Sequence, residues 1–290
     1  MSRTLSIRDL TLEFRGHSAT SRVLHGISLD IAKGERVALV GESGSGKSVT
    51  ARLVLGLLQG QRGVKVGGQM DFEGQDLAAM TPHRRAALRG TRMSMIFQDP
   101  TSSLNPVFPI QTQFAEVLRR ADPALSMAAA QKRMTLLLAE VAIPETGRVL
   151  ASYPFQLSGG MNQRVMIAMA LANAPSLLIA DEPGTALDVT VQAQTLDLMR
   201  DLVARAGTSV LFISHNLGVV REFADRIYVI YKGRIVESGP TASVFARPGH
   251  AYTRALLAAV PRLTGGGIPE TTEASEAFLA PAVLHPAVTP

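Results

Sequence analysis

The sequence predicts an α/β fold, a largely parallel sheet covered on both faces by helices. Three observations predict it. Short apolar runs such as LLIADEP and TSVLFISH alternate with stretches of helical spacing, the pattern expected of strands buried on both faces. A glycine-rich loop, GESGSGKS at 41–48, stands between a strand pattern and a helix pattern. A mostly helical region runs from Ile110 to about Ala151.

From the N-terminus, LSIRDLTLEF, VLHGISLDI and ERVALVG read as strands separated by turns. After the loop, VTARLVLGLL continues with helical spacing. TRMSMIFQ is the next strand, ending in Gln98, and the prolines of DPTSSLNPVFP then prevent continuous helix or sheet. MAAAQKRMTLLLAEV is the strongest helical stretch of the middle region. Helix VMIAMALANAPS ends near Pro175, strand LLIADEP carries acids at its carboxyl end, and TVQAQTLDLMRDLVARAG is a helix stopping at Gly207. Strand TSVLFISH, helix NLGVVREFA and a hairpin RIYVIYKGRIVESG turning at Lys232-Gly233 complete the order. From Thr264 the chain is rich in glycine and proline and poor in charge, and reads as a flexible tail.

Composition removes several function classes. The chain has 290 residues and 46% hydrophobic content, enough for a substantial core. Its apolar runs are far shorter than the roughly 20 residues of a membrane-spanning helix, and MSRTLSIRDLTLEF lacks the apolar centre of a signal peptide. A cytosolic address follows as the expectation. The absence of cysteine excludes disulfides, thiolate zinc sites and cysteine-ligated iron–sulfur clusters. The formal charge of +5 is spread along the chain in short groups such as His83-Arg84-Arg85, which fits a solvated surface, or one facing anionic lipid, better than a nucleic-acid site.

Gly41-Glu42-Ser43-Gly44-Ser45-Gly46-Lys47-Ser48 matches the P-loop pattern GxxxxGK[ST]. Its glycines let backbone N–H groups converge on phosphates, Lys47 adds a point charge and the Ser48 hydroxyl can ligate Mg²⁺. Asp181 ends the strand LLIAD, where a carboxylate can support the same metal. Glu182 follows it and can polarise an attacking water as general base; without a P-loop, the same two acids would suit an ordinary helix start. His215 ends VLFIS and can hydrogen-bond a γ-phosphate oxygen, although a single His at a strand end is also a common structural residue. Gln98 ends another strand, where its amide can touch Mg²⁺ or the attacking water, or simply belong to an exposed loop. Their shared place at strand ends gives these residues weight together.

A second glycine turn, LSGGMNQR at 157–164, opens an apolar helix. Ser158, Gly159 and Gly160 offer a hydroxyl, N–H donors and the positive helix end to phosphate oxygens. The helix dipole supplies only about 0.3–1 kcal/mol, so several donors must converge for the turn to matter. By itself LSGG suits a flexible helix cap better than an anion site.

Taken in order, GESGSGKS, FQDP at 97–100, LSGGMNQR, LLIADEP, Ala186-Leu187-Asp188 and SH at 214–215 resemble the Walker A, Q-loop, signature, Walker B, D-loop and H-loop of an ATP-binding cassette (ABC) transporter subunit. The resemblance covers roughly residues 4–262. Segments such as IFQDPTSSLNP, DEPGTALDVTVQAQ and HAYTRALLAAVPRL are similar to ATPase subunits of the peptide/nickel import subfamily, whose members carry peptides, nickel, glutathione, opines or other small solutes. The resemblance implies a RecA-like P-loop NTPase core, a small antiparallel β portion and a helical subdomain around 100–163, within one nucleotide-binding domain over 1–262, followed by the tail at 263–290.

It also implies ATP as substrate, Mg²⁺ as cofactor and an adenine-stacking aromatic best matched by Phe14, for which a buried strand residue is the other reading. Two such subunits pair head to tail, so that Ser158–Gly160 complete the ATP site of a second ABC ATPase subunit, a different chain or a second copy. The implied partners are two membrane-spanning permease subunits, contacted through SSLNPVFP, and indirectly a solute-binding protein, at the cytoplasmic face of the inner membrane. Gly184 stands where Thr or Ser is common and Asn216 where Asp is common. The iron–sulfur segment of some relatives has no counterpart without cysteine. A soluble ABC ATPase of DNA maintenance or translation is the alternative, and the chain shows neither a second cassette nor the long heptads of such proteins.

Overall fold

A computed structural model of the chain describes residues 2–16, 20–99, 103–184, 188–259, 278 and 280–286. It divides into two compact units, Met1–Arg85 with Val210–Pro290, and Ala86–Ser209.

The first unit opens with two long antiparallel strands, β1 (Arg3–Arg15) and β2 (Thr20–Ala32), in the register Ile7↔Leu29 and Leu12↔Leu24. Their alternation buries Leu5, Ile7, Leu10, Leu12, Leu24, Ile27, Leu29 and Ile31 completely or nearly so. Each such side chain stabilises the fold by about 1.5–3 kcal/mol on burial. β4 (Val64–Phe72) pairs antiparallel with the other edge of β1, and β5 (Gln75–Asp76) with β4, giving the order β2-β1-β4-β5. This is the expected antiparallel portion.

A second set of strands in the same unit is mainly parallel. β3 (Arg36–Val40) lies between β8 (Ser209–Ser214) and β9 (Arg226–Tyr231), parallel to both. Val37 to Val40 are fully buried, as the continuous apolar run required. β9 turns at Lys232 and Gly233, with φ of 44° and 72°, into antiparallel β10 (Arg234–Pro240), the hairpin that the sequence places there. Helix α1 (Lys47–Val54) follows β3, and α2 (Pro82–Leu88) marks the change to the second unit. In the first unit α8 (Leu217–Phe223) packs on β3 and α9 (Thr241–Ala246) on β9 and β10. Helix α10 (Ala251–Ala258) closes the described helices.

The predicted tail is not uniform. Most of it lies outside the described residues, but β11 (Val283–Leu284) pairs in parallel with β10, and the Phe278 ring is buried. For these residues the structure corrects the reading of a flexible segment. Their partners are Glu237, Tyr231 and Tyr252, residues far away in sequence.

In the second unit β6 (Met93–Ile96) and β7 (Leu177–Asp181) form a parallel pair. Between them run α3 (Ile110–Ala121), α4 (Met127–Glu140), α5 (Thr146–Ala151) and α6 (Gly159–Leu171). α4 packs on α3, α5 and α6, around Phe114, Leu118, Met134, Leu138 and Ile167. Helix α7 (Val189–Ala206), which packs on α6, is capped by the Asp188 carboxylate on the Val191 N–H at 2.9 Å and ends at left-handed Gly207.

Candidate functional site

β3 and β8 lie in register, with Val40 opposite Ser214. Whatever follows the two strands therefore emerges at one carboxyl edge. That edge carries Gly41–Ser48 after β3 and the exposed His215 after β8. The loop is fixed from beneath. A Cβ on Gly41 would stand 2.1 Å from the Ile230 carbonyl oxygen, so no side chain fits there. Ser45 N–H donates to Glu42 O at 3.2 Å, and Gly233 N–H, from the β9–β10 turn, donates to Ser45 O at 3.0 Å.

Lys47 opens α1 and is only 5% exposed. Its Nζ donates to the carbonyl oxygens of Gly41 and Glu42, both at 2.7 Å. The ammonium is thus held at the loop by two backbone carbonyls. Ser48 is half-buried in the first turn of α1, and Thr50 Oγ1 donates back to Gly46 O at 2.8 Å. Glu42, Ser43 and Gly44 are exposed at the rim, whereas Gly41, Ser45 and Gly46 are buried. One support comes from a segment that sequence reasoning did not connect to the loop. The Glu42 N–H donates to the Tyr252 hydroxyl at 3.0 Å.

The second unit repeats the arrangement with other chemistry. Ile96 faces Ala180 across β6 and β7, and these strands deliver Gln98 and the pair Asp181-Glu182. Asp181 is the last residue of β7 and is 5% exposed. Glu182 has φ of 51°, a left-handed backbone that costs a non-glycine residue about 1–2 kcal/mol. Gln98 lies two residues beyond the end of β6, later than the sequence pattern suggests, and its Nε2 donates to Glu182 Oε2 at 3.0 Å. An amide and a carboxylate 84 residues apart are thereby brought together. Gly184 has φ of 93°, which suits the glycine found where a hydroxyl residue is common. Asn216 is the N-cap of α8, accepting from Gly218 and Val219 N–H, a task that Asn and Asp perform alike.

Ser158 is the N-cap of α6, its hydroxyl oxygen accepting from Met161 N–H at 3.3 Å. The hydroxyl proton is still a donor in that role. Ser158 and Gly159 are exposed, Gly160 half-buried, and a Cβ on Gly160 would stand 3.1 Å from Val191 Cγ1 of α7. Phe14 is a half-buried residue of β1, opposite Ser21 and Val64. Ala186 and Leu187 of the D-loop and Ser102 of SSLNPVFP lie outside the described residues. In the rest of that segment Leu104 is buried, while Val107 and Phe108 are 72% and 48% exposed. Gln113 holds the segment's backbone through Asn105 N–H, Asn105 O and Phe108 O. Tyr153 and Phe155, stacked at 5.6 Å, add 37% and 73% exposed rings in the same unit. Sequence reasoning passed over these two, which stand just ahead of the LSGGMNQR motif read for its glycines.

A buried lysine in a strand–loop–helix turn, with two acids at the end of a parallel strand, defines a P-loop nucleotide-binding protein. Comparison with known proteins refines the class. The ABC transporter family model matches residues 24–185, and the model for the C-terminal region of oligopeptide/dipeptide transporters matches 236–278. The chain belongs to the ABC transporter family.

The chain is 51% identical over 272 residues to the peptidoglycan transport ATP-binding protein YejF of Agrobacterium fabrum, covering 94% of this chain and 49% of that one. It therefore spans about half the length of that relative. With the oligopeptide transport ATP-binding protein OppD of Bacillus subtilis it shares 45% identity over 94% of this chain and 76% of the other. Among solved structures, the dimeric post-hydrolysis ATP-binding cassette MJ0796 bound to ADP and Pi aligns with a TM-score of 0.73 and 26% identity, covering 82% of this chain and 98% of that one. The alternative of a soluble ATPase of DNA maintenance or translation is not favoured by these relatives.

Proposed function

We propose that the chain powers uptake of peptides or a related small solute, such as nickel, glutathione or an opine, through two permease subunits at the cytoplasmic face of the inner membrane. The observation that carries the reading is the braced loop 41–48 with Lys47 Nζ held inside it. Lys47 and the loop amides bind the β- and γ-phosphates of ATP, and His215 donates to a γ-phosphate oxygen. Ser48, Asp181 and Gln98 offer a hydroxyl, a carboxylate and an amide oxygen. These are hard donors of the kind Mg²⁺ selects. Mg²⁺, when bound, neutralises charge on the phosphates. Glu182 accepts the proton of the attacking water, and the Gln98 hydrogen bond orients its carboxylate for that task.

Ser158, Gly159 and Gly160 meet the ATP held by a second cassette, a different chain or a second copy. Phe14 is the aromatic assigned to adenine. The exposed Val107, Phe108, Tyr153 and Phe155 are the surface assigned to the permeases, and a solute-binding protein feeds the permeases from the other side. A nucleic-acid partner has no part in this reading.

The test is Glu182→Gln in the assembled complex. Removing a general base lowers turnover by about 10²- to 10⁴-fold, with ATP binding retained. Phosphate release near the wild-type rate would sink the general-base assignment. Loss of ATP-driven uptake of labelled di- and oligopeptides into proteoliposomes should accompany it, and uptake of another solute in place of peptides would reassign the cargo.

A further inference from the structure

We infer that Tyr252 is a positioning residue for the phosphate loop, and that the C-terminal region acts on nucleotide affinity through it. Tyr252 is 1% exposed, and its hydroxyl accepts the Glu42 N–H at 3.0 Å, fixing the second residue of the loop. Its ring is clamped by Tyr231 at 4.3 Å and by Phe278 edge-on at 5.5 Å. Tyr231 itself ends β9, immediately before the Lys232-Gly233 turn that braces Ser45. The loop therefore rests on two supports that share one aromatic cluster.

A buried polar knot sets the position of Tyr252. Glu237 of β10 is fully buried. Its carboxylate accepts from Gly249 N–H at 2.7 Å, His250 N–H at 3.0 Å and His285 Nε2 at 2.6 Å. Burial raises the Glu237 pKa, but the nearby Thr253 hydroxyl and the hydrogen bonds from Gly249, His285 and His250 outweigh it and hold the group below its ordinary value. His250 Nδ1 in turn caps α10 by accepting the Tyr252 N–H at 3.2 Å. One charge thus organises the start of α10 and anchors His285, whose own N–H donates to Ser238 O at 2.8 Å. Burial pushes the Tyr252 hydroxyl above the ordinary range, so it stays protonated and neutral as an acceptor.

A hydroxyl that only filled space would leave the loop amide to water. Here it fixes the direction of an N–H in the loop that must present its neighbours to phosphate, so its loss loosens the loop without touching Lys47. The inference rests on the reading that loop 41–48 binds ATP.

The experiment titrates the full chain with mant-ATP and Mg²⁺, alongside thermal melting and hydrogen exchange of the peptide containing Glu42. Tyr252→Phe keeps the ring and removes the hydroxyl, and should weaken mant-ATP binding by about 3- to 10-fold while exchange at Glu42 rises. Tyr228→Phe is the matched control, because its buried hydroxyl serves Asp30 N–H and Arg226 and not the loop. It should leave affinity unchanged. If Tyr252→Phe does not fold, Phe278→Leu loosens the clamp while retaining the hydroxyl and should shift affinity in the same direction. Lys47→Ala separates the two readings. Loss of binding in Lys47→Ala with wild-type affinity and exchange in Tyr252→Phe would overturn the inference alone, and binding that survives Lys47→Ala would overturn the ATP site itself. An equal loss in Tyr228→Phe and Tyr252→Phe would reduce Tyr252 to a packing residue.

Discussion

The two glycine turns of this chain use the same backbone chemistry in opposite settings. Loop 41–48 is enclosed: Gly41 has no space for a Cβ, Lys47 is buried, and amides or carbonyls of the loop are tied to the β9–β10 turn and to Tyr252. Turn 158–160 is open, with Ser158 and Gly159 exposed and a single side-chain oxygen capping α6. A site that holds its ligand by itself needs the first arrangement. One that completes a site elsewhere needs the second, since its donors must remain reachable by another protein.

The contrast can be broken by substitution. The largest effect is expected at Gly41→Ala, whose Cβ would meet the Ile230 carbonyl oxygen at 2.1 Å. Backbone must move to relieve it, and a loss of about 2–4 kcal/mol in stability is expected by chemical or thermal unfolding, with nucleotide binding lost alongside. Gly160→Ala faces only the tip of Val191 at 3.1 Å and gains helix propensity of about 0.5–1 kcal/mol. Its stability should stay within about 1 kcal/mol of wild type. Equal losses at the two glycines would remove the distinction between enclosed and open turns.

Ser158→Arg sharpens the same comparison by function. It should spare mant-ATP affinity at the chain's own loop and abolish ATP-driven pairing with the second cassette, as read by co-sedimentation. Pairing that survives would reduce LSGG to a helix cap.

The smallest effect belongs to the knot behind the enclosed loop. Because the Glu237 pKa is lowered from 4.5 on folding, its stabilisation is fully present above that value and disappears as pH falls through the depressed folded pKa. Wild type should melt above Glu237→Gln at pH 7, and the gap should shrink as pH drops below 4.5 through the depressed folded value. A gap independent of pH would show that the carboxylate acts only by its shape.

The fold was legible in the sequence wherever one segment's own pattern decided its structure. VALV, LLIAD and VLFIS are continuous apolar runs with no alternative to a buried strand, and Lys232-Gly233 dictates its hairpin. β4 was not legible, because VKVGGQMDF breaks its alternation at Gly67-Gly68. There the register with β1 shifts beside Asp9, and a Cβ on Gly68 would lie 2.4 Å from Asp9 O. A bulge of this kind is decided by the partner strand.

The site divides the same way. Residues in fixed spacing, Gly41 to Ser48 and Asp181-Glu182, could be read directly. The hydrogen bond from Gln98 to Glu182 spans 84 positions, that from Glu42 to Tyr252 210, and that from Glu237 to His285 48. No local period encodes such distances. At residues 278 and 283–284 the flexible reading fails for the same reason, since Phe278 packs on Tyr231 and Tyr252 and Val283-Leu284 pair with β10.

The central claim, that the open turn closes over ATP held by another cassette, can be measured at one atom. The chain has no cysteine, so Ser158→Cys introduces a single thiol, and Glu182→Gln in the same chain prolongs the ATP-bound state. In the complex with permeases and second cassette, MgATP should slow maleimide modification of that thiol by about tenfold or more relative to the nucleotide-free complex. An unchanged rate, with ATP bound and turnover arrested, would contradict the account.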